Sequence, residues 1–329
     1  MATDGSAAAE LTFRDVTKRY AGRAQPAVDH LSLRIPAGEI CVLVGPSGAG
    51  KTTALKMVNR LIQFDSGDIE IDGRSVLDFE ISELRRGIGY VIQQVGLFPH
   101  MNVEANVATV PRLRGWGKQR THERVRELLE LVGLDPDGDP RRYPGQLSGG
   151  QRQRVGLARA MAADPPLMLM DEPFGAIDPI TRSRLQDEFL RLHRQIRKTV
   201  IFVTHDIDEA IKMGDRIAIL RQGGTLAQYD TPDAILASPA DDFVAQFVGA
   251  DRALKRLSLV RLSDLELEAV PSQVNGLPSA PRDASLHDAL SLLLSEGGSR
   301  LLVTDPDGTP LGVARLEQIG ARVSEDQAS

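Results

Sequence analysis

At 329 residues the chain exceeds the roughly 100 to 200 residues of one typical domain, which leaves room for a large domain with a full core and a small second unit. Its 42% hydrophobic and 26% charged residues exclude a disordered or fibrous chain. The net charge of −6 is opposite in sign to the footprint of a nucleic-acid-binding domain, so no nucleic-acid partner is expected. The start, MATDGSAAAE, lacks the basic and apolar segments of a secretion signal, and no apolar run approaches the roughly 20 residues that span a bilayer. The single cysteine, Cys41, lies in an apolar run, where it reads as a small buried hydrophobe, and without a second one no intrachain disulfide forms.

The first expected elements are short strands at residues 11–16 and 31–35, forming an antiparallel edge. Tyr20 falls between them and, taken alone, reads as a surface or core tyrosine. Residues 40–44, ICVLV, are of the β-branched and aliphatic kind that a parallel sheet buries on both faces. They run directly into GPSGAGKTT, that is Gly45, Pro46, Ser47, Gly48, Ala49, Gly50, Lys51, Thr52 and Thr53. This satisfies G-x-x-x-x-G-K-[ST] between a buried strand and an amphipathic helix, a context that argues against an incidental Gly-rich turn. The glycines let successive backbone N–H groups point at phosphate oxygens, and the following helix adds its positive end. Lys51 suits the β- and γ-phosphates and the Thr52 hydroxyl suits Mg²⁺, so ATP and Mg²⁺ are the expected ligands.

Further on, Val125, Leu128, Leu129 and Val132 recur at helical spacing and face a core. In LSGGQRQRV, residues 147–155, Ser148 is placed to cap a helix starting at Gly149, and Gly149 with Gly150 lets that helix end approach an anion. The run 167–170 ends in Asp171 and Glu172, two carboxylates at the edge where a parallel sheet presents ligand sites. Alone such a pair is a solvated strand end. Beside a phosphate loop it makes a phosphoryl-transfer site, with Asp171 on Mg²⁺ and Glu172 orienting and deprotonating the attacking water. Strand 200–203 follows, and the alternation of strands and helices predicts an α/β fold with a mainly parallel sheet. A boundary is expected near residue 250, after the amphipathic stretch 242–248, where a basic segment around Lys255 and Arg256 restarts the pattern. The remainder reads as a loop at 270–281 with three prolines, helix 286–294, strand 301–304, turn 306–308, strand 311–314 and a final helix.

The segment LSGGQRQRV resembles the signature of ABC ATPases, and the remaining elements of that family occur in order over residues 11–250. The resemblance implies a P-loop NTPase cassette with a mainly parallel sheet, an antiparallel β edge and a helical signature subdomain. It implies a homodimer in which each ATP lies between one chain's phosphate loop and the partner's signature residues Ser148, Gly149, Gly150 and Gln151. Tyr20 matches the aromatic that stacks on adenine. Gln93, in VIQQ, matches the glutamine that touches Mg²⁺ and the γ-phosphate, with Gln94 as the alternative. Asp178 matches the aspartate at the dimer seam, and His205, in VTHD, the histidine on the γ-phosphate. With Glu172, Lys51 and Gln93, His205 completes the expected catalytic set. Gly175 stands where many relatives have Ser, with no expected effect on the chemistry.

Within that family, residues 91–116 are similar to the ATPases of quaternary-amine importers. This implies osmoprotectants such as glycine betaine as cargo, membrane-spanning permease subunits, an extracytoplasmic substrate-binding protein, and a peripheral position on the cytoplasmic face of the inner membrane. Leu97, Phe98 and Trp116 read either as permease-docking residues or as local core. Residues 257–322 resemble one CBS motif, a small α+β unit, in a domain expected at 251–329. That unit is either regulatory or a structural appendage. Nucleotide-binding CBS motifs carry a Thr and, three residues later, an Asp; here Arg315 and Gln318 stand there, so an adenosine pocket is not expected. A basic patch of Lys255, Arg256 and Arg261 is the expected salt-responsive surface. The competing readings are another ABC transporter or a soluble ABC ATPase acting on ribosomes or DNA, for which the chain lacks a second cassette and a coiled-coil insertion.

Overall fold

The computed structural model describes residues 7–93, 96–175, 177–271 and 276–324. Two compact units divide the chain, Met1–Tyr229 and Asp230–Ser329.

The first unit opens with β1 (Leu11–Lys18), β2 (Val28–Ile35) and β3 (Ile40–Val44), then α1 (Lys51–Val58), β4 (Ser66–Ile71), β5 (Arg74–Ser75), α2 (Ile81–Gly87) and β6 (Ile88–Val91). A helical insertion follows, α3 (Val103–Val107), α4 (Thr109–Leu113), α5 (Lys118–Leu131) and α6 (Gly149–Met161). The chain then returns through β7 (Leu167–Asp171), α7 (Pro179–Ile196), β8 (Thr199–Val203), α8 (Ile207–Met213), β9 (Arg216–Leu220) and β10 (Leu226–Asp230).

Two sheets result. One is four-stranded, ordered β2-β1-β4-β5, and every pair in it is antiparallel. The other is six-stranded, ordered β10-β9-β3-β8-β7-β6, with parallel pairing from β9 through to β6. Strands β3, β7 and β8 are buried along their whole length, as uniformly apolar runs with sheet neighbours on both sides require. Cys41 is among these residues, and burial pushes its thiol up, so it stays an inert hydrophobe. Val125, Leu128, Leu129 and Val132 are buried by the helical insertion, as their spacing predicts.

Register decides where the site forms. Leu43 pairs with Val203, Val203 with Asp171, and Met170 with Val91, so the carboxyl ends of β3, β8, β7 and β6 finish at one level. Four loops that are distant in sequence leave the sheet there side by side.

The second unit contains α9 (Pro232–Ala237), α10 (Asp242–Val248), α11 (Arg252–Leu257), β11 (Ser279–Pro281), α12 (Leu286–Ser295), β12 (Arg300–Thr304), β13 (Pro310–Arg315) and α13 (Leu316–Ser324). Its sheet runs β11-β12-β13, parallel then antiparallel, over a core of Leu257, Leu262, Leu286, Leu293, Leu301, Val303 and Ile319. The compact division lies about 20 residues before the expected boundary at 250, because α9 packs on α11 and Leu257 of α11 belongs to this core. Part of the expected proline-bearing loop is a strand. Residues 279–281 pair with Leu302, Val303 and Thr304, and Pro281 is tolerated because β11 is an edge strand.

Of the expected basic patch, Arg261 is exposed with its guanidinium donating to the Asp283 carbonyl at 3.2 Å, but the other two residues are paired with carboxylates. Lys255 bonds the Val248 carbonyl at 2.8 Å and pairs with Asp251, and Arg256 pairs with Asp233 at 2.9 Å. Both side chains are over four-fifths buried, at 15% and 18% exposed. Arg315 pairs with Glu268 at 2.6 Å, while Gln318 accepts from the Arg315 N–H and donates to the Glu266 carbonyl. The side chains of Arg315 and Gln318 are thus both engaged with residues 266–268.

Candidate active site

The loop between β3 and α1 curls because its glycines take backbone angles that side chains resist. Gly50 has φ 81° and Gly45 has φ 155°. A Cβ on Gly50 would fall 2.0 Å from the Ala27 carbonyl oxygen, and one on Gly45 would fall 2.3 Å from that of Leu220. Both positions therefore demand glycine on steric grounds as well as conformational ones. Lys51, the first residue of α1, is buried, and its ammonium donates to the carbonyls of Gly45 at 2.7 Å and Pro46 at 3.0 Å. Burial lowers its pKa, opposed by the charges of Glu172 and Asp171.

Next to it, the Thr52 hydroxyl donates to Asp171 Oδ1 at 2.8 Å. Asp171 is buried, and that burial raises its pKa against the lowering effect of the Thr52 bond. A hydroxyl and a carboxylate converging at the loop's edge form the hard, oxygen-only donor pair that Mg²⁺ prefers, so the residues fit that ion.

Glu172 takes φ 46°, an uncommon conformation for a non-glycine residue that costs about 1–3 kcal/mol. Its N–H is anchored on the Val203 carbonyl at 3.0 Å. The side chain is held from two directions: Gln93 Nε2 donates to Oε2 at 2.9 Å, and His205 Nδ1 lies 3.3 Å from Oε1. Gln93 is thus engaged with the carboxylate and not with the Thr52–Asp171 pair. Gln94, its sequence alternative, lies outside the described residues. Gly175 comes close to Glu172, but a Cβ there would meet nothing nearer than 3.5 Å, so the Ser expected in relatives would fit equally well.

Residues 45–53, Glu172 and His205 line one cleft. Ser148, Gly149, Gly150, Gln151 and Asp178 line another, and the two share no residue. At the second cleft, the Ser148 hydroxyl accepts from Gln151 N–H at 3.2 Å while Gln151 Oε1 accepts from Ser148 N–H at 2.9 Å. This reciprocal capping box fixes the start of α6. Asp178 caps α7 by accepting from Thr181 N–H at 3.0 Å, a bond that lowers its carboxyl pKa. The chain's two anion-ready helix ends therefore face different clefts. Tyr20 lines neither; it is exposed, with Lys18 Nζ 5.7 Å and the Arg23 guanidinium 6.0 Å from its ring centroid.

In the 91–116 region Phe98 is exposed and Leu97 and Trp116 are half-buried, with the Arg120 guanidinium 3.7 Å from the tryptophan ring centroid. The fully buried Asn106 pins this loop by bonding both backbone groups of Phe98 and the Met101 carbonyl. Sequence reading passed over Thr204. It is buried, its N–H donates to the Leu43 carbonyl at 3.2 Å, and its hydroxyl accepts from Asp206 N–H at 3.1 Å. The Thr-x-Asp spacing around His205 was its signal.

A glycine-rich cradle at the end of a central parallel strand, an acid pair at the end of another and a separate signature helix define an ABC-type ATPase. The family model described as ABC transporter matches residues 28–175. The chain is 49% identical over 311 residues to the osmoprotectant import ATP-binding protein OsmV of Salmonella typhimurium, covering 94% of this chain and 80% of that one. It is 47% identical over 310 residues to the glycine betaine/carnitine/choline transport ATP-binding protein OpuCA of Bacillus subtilis, covering 94% and 79%. Against the glycine betaine uptake system ATP-binding protein YehX of Escherichia coli it is 43% identical over 310 residues, covering 94% and 98%. Among solved structures it is similar to a dimeric post-hydrolysis state of the ATP-binding cassette MJ0796 bound to ADP and Pi. There the TM-score is 0.60 and the identity 32%, over 67% of this chain and 98% of that one. The chain belongs to the ABC transporter ATP-binding proteins and is an ATP-binding, ATP-hydrolysing subunit. Among the described residues no helix is long and apolar enough to cross a membrane.

Proposed function

We propose that this subunit powers the import of osmoprotectants, glycine betaine or related quaternary amines. It would sit on the cytoplasmic face of the inner membrane against membrane-spanning permease subunits, with an extracytoplasmic binding protein delivering the cargo. The observation that carries the catalytic reading is the Glu172 carboxylate, held between Gln93 and His205 beside the phosphate cradle. In this reading residues 45–53 bind the phosphates through backbone N–H groups and Lys51. Thr52, Asp171 and the Gln93 side-chain oxygen would hold Mg²⁺, with the Gln93 amide N–H remaining on Glu172, and the ion would supply positive charge opposite the phosphates. Glu172 takes a proton from the attacking water, Gln93 orients that carboxylate, and His205 contacts the γ-phosphate. Tyr20 stacks on adenine.

The separation of the two clefts supports a head-to-tail homodimer, since one chain's Ser148–Gln151 and Asp178 do not line the cleft of its own phosphate loop. Two copies arranged so would each lend the signature to the other's nucleotide. For the C-terminal region we propose a single CBS-like regulatory domain, 251–329, following a cassette at 1–250, with no adenosine pocket at Arg315 and Gln318.

Reconstitution with its permease and binding protein in sealed vesicles tests the reading. Glycine betaine, carnitine, choline and proline are offered in turn, and ATP hydrolysis and uptake are followed together. Stimulation by the quaternary amines is the expected result. Stimulation by none of them, with hydrolysis otherwise intact, would overturn the cargo while leaving the ATPase assignment standing.

A further inference from the structure

Gln93 reaches the Glu172 carboxylate from an exposed position two residues past the end of β6. A donor placed there needs a backbone that does not drift, because misplacement by about 1 Å can cost on the order of 100-fold in rate. The chain on both sides of Gln93 is braced by a single helix, α6, and by two consecutive residues of it.

Before Gln93 the brace is steric. Gly89 of β6 is buried, and a Cβ there would fall 2.6 Å from the Ala160 carbonyl oxygen, so the strand lies directly against α6. After Gln93 the brace is a charged hydrogen bond. Arg159, the residue before Ala160, donates from Nη1 to the Gly96 carbonyl at 2.6 Å. The same guanidinium lies 5.9 Å from the Phe98 ring centroid, within cation–π range. Phe98 is in turn held through both its backbone groups by the buried Asn106 of α3, so the segment that Arg159 grips is also fixed on its far side. Gly89 and Gly96 thus stand as two feet on neighbouring residues of α6, with Gln93 between them in the chain. Three residues separate Gln93 from the foot at Gly96, a span of at most roughly 11 Å, so a shift at that foot is passed on to the Gln93 side chain. Arg159 is half-buried, and burial lowers its pKa; a cation in such a place is costly unless its N–H groups are used.

From this geometry we infer that Arg159 is a positioning residue for Gln93, holding through Gly96 the segment that brings the Gln93 amide to Glu172. The inference rests on the reading of Gln93 given above. Because α6 begins at Gly149 behind the Ser148 cap in the signature cleft, the helix that presents the signature is also the one that braces Gln93.

The test is steady-state ATP hydrolysis by the full-length chain, with the melting temperature recorded for each variant. Arg159→Met keeps the stem of the side chain and removes the guanidinium. Its kcat should fall about tenfold, the scale of one lost charge-assisted hydrogen bond, with KM for ATP within about twofold of the parent, because the phosphate cradle is not touched. Arg159→Lys, which keeps a charged donor, should recover most of that loss. In a Gln93→Ala background, Arg159→Met should cost less than about a further twofold, as expected of residues acting as one unit. A nitroxide attached at Gln93→Cys reads position directly, since the native Cys41 is buried; its spectrum should report greater mobility in Arg159→Met than in the Arg159 parent, well below both melting temperatures. Normal kcat in Arg159→Met with Gln93→Ala impaired would overturn the inference alone, as would an unchanged nitroxide spectrum. A loss of about tenfold persisting in the Gln93→Ala background would also overturn it, because that is what a purely structural role predicts. If Arg159→Met does not fold, Arg159→Gln, too short to reach the carbonyl, is judged by the same criteria. Unimpaired Gln93→Ala would instead remove the reading on which the inference stands.

Discussion

Replacing Glu172 by Gln keeps the shape of the side chain and removes its charge and its basicity. Of its two recorded contacts, the Gln93 amide at 2.9 Å and His205 at 3.3 Å, both can be remade by an amide after reorientation. The position of the side chain should therefore survive. The cradle at residues 45–53 and the Thr52–Asp171 pair have no hydrogen bond to this side chain, so ATP binding should stay within a few-fold of the parent. What is lost is the proton acceptor, and general-base catalysis is typically worth about 10²- to 10⁴-fold, or roughly 3 to 5 kcal/mol of barrier. Turnover should fall by that factor while ATP, bound and unhydrolysed, accumulates in a stable dimer. Nucleotide titration, single-turnover hydrolysis and light scattering with ATP and Mg²⁺ measure the three quantities. Turnover within about threefold of the parent would refute the assignment of Glu172 as base, and a matching loss of ATP affinity would place its role in binding.

Three further outcomes are expected. Lys51→Ala removes the ammonium from the cradle and Gly50→Ala drives a Cβ to 2.0 Å from the Ala27 carbonyl, so both should weaken nucleotide binding itself in a titration that leaves Glu172→Gln near normal. Burial raises the pKa of Asp171, so its ionisation destabilises the ligand-free fold as pH rises through the folded-state value. Asp171→Asn should accordingly melt higher than the parent near pH 7, with the advantage vanishing below about pH 4, where the unfolded carboxyl is also protonated, and hydrolysis should be lost. A mixed dimer with Ser148→Arg on one chain and Lys51→Ala on the other should retain one intact composite site, whereas both changes on a single chain should damage both sites; equal hydrolysis by the two mixtures would contradict the head-to-tail arrangement.

Much of this molecule could be read from local patterns. The phosphate loop is a local object, because the glycines, the lysine and the helix start that it requires are consecutive; its steric partners, the carbonyls of Ala27 and Leu220, only add to a demand already written in the motif. The buried strands were equally legible, since a run such as ICVLV is affordable only where both faces are covered. Ser148 declared its helix as a capping residue directly before Gly149, and the structure added the reciprocal bond with Gln151. Two of the three residues of the expected basic patch are paired because charge in a sequence does not reveal its partner: Asp233 and Asp251 neutralise Arg256 and Lys255, and the fold brings Asp233 there from 23 residues away. That α9 finds its packing partner in α11, a helix that follows it, is likewise unrecorded in the local pattern.

Tertiary structure alone decided which residues share a cleft. Gln93, Glu172 and His205 meet because the parallel register ends three strands at one level, and a shift by one residue would turn every strand side chain to the opposite face. It also decided that Ser148 and Asp178 stand apart from the phosphate loop of their own chain. The bond from Gln186 to Glu209 was invisible in the sequence for the same physical reason: a hydrogen bond between α7 and α8 is set by how helices pack on a sheet, and spacing along the chain carries no record of that geometry.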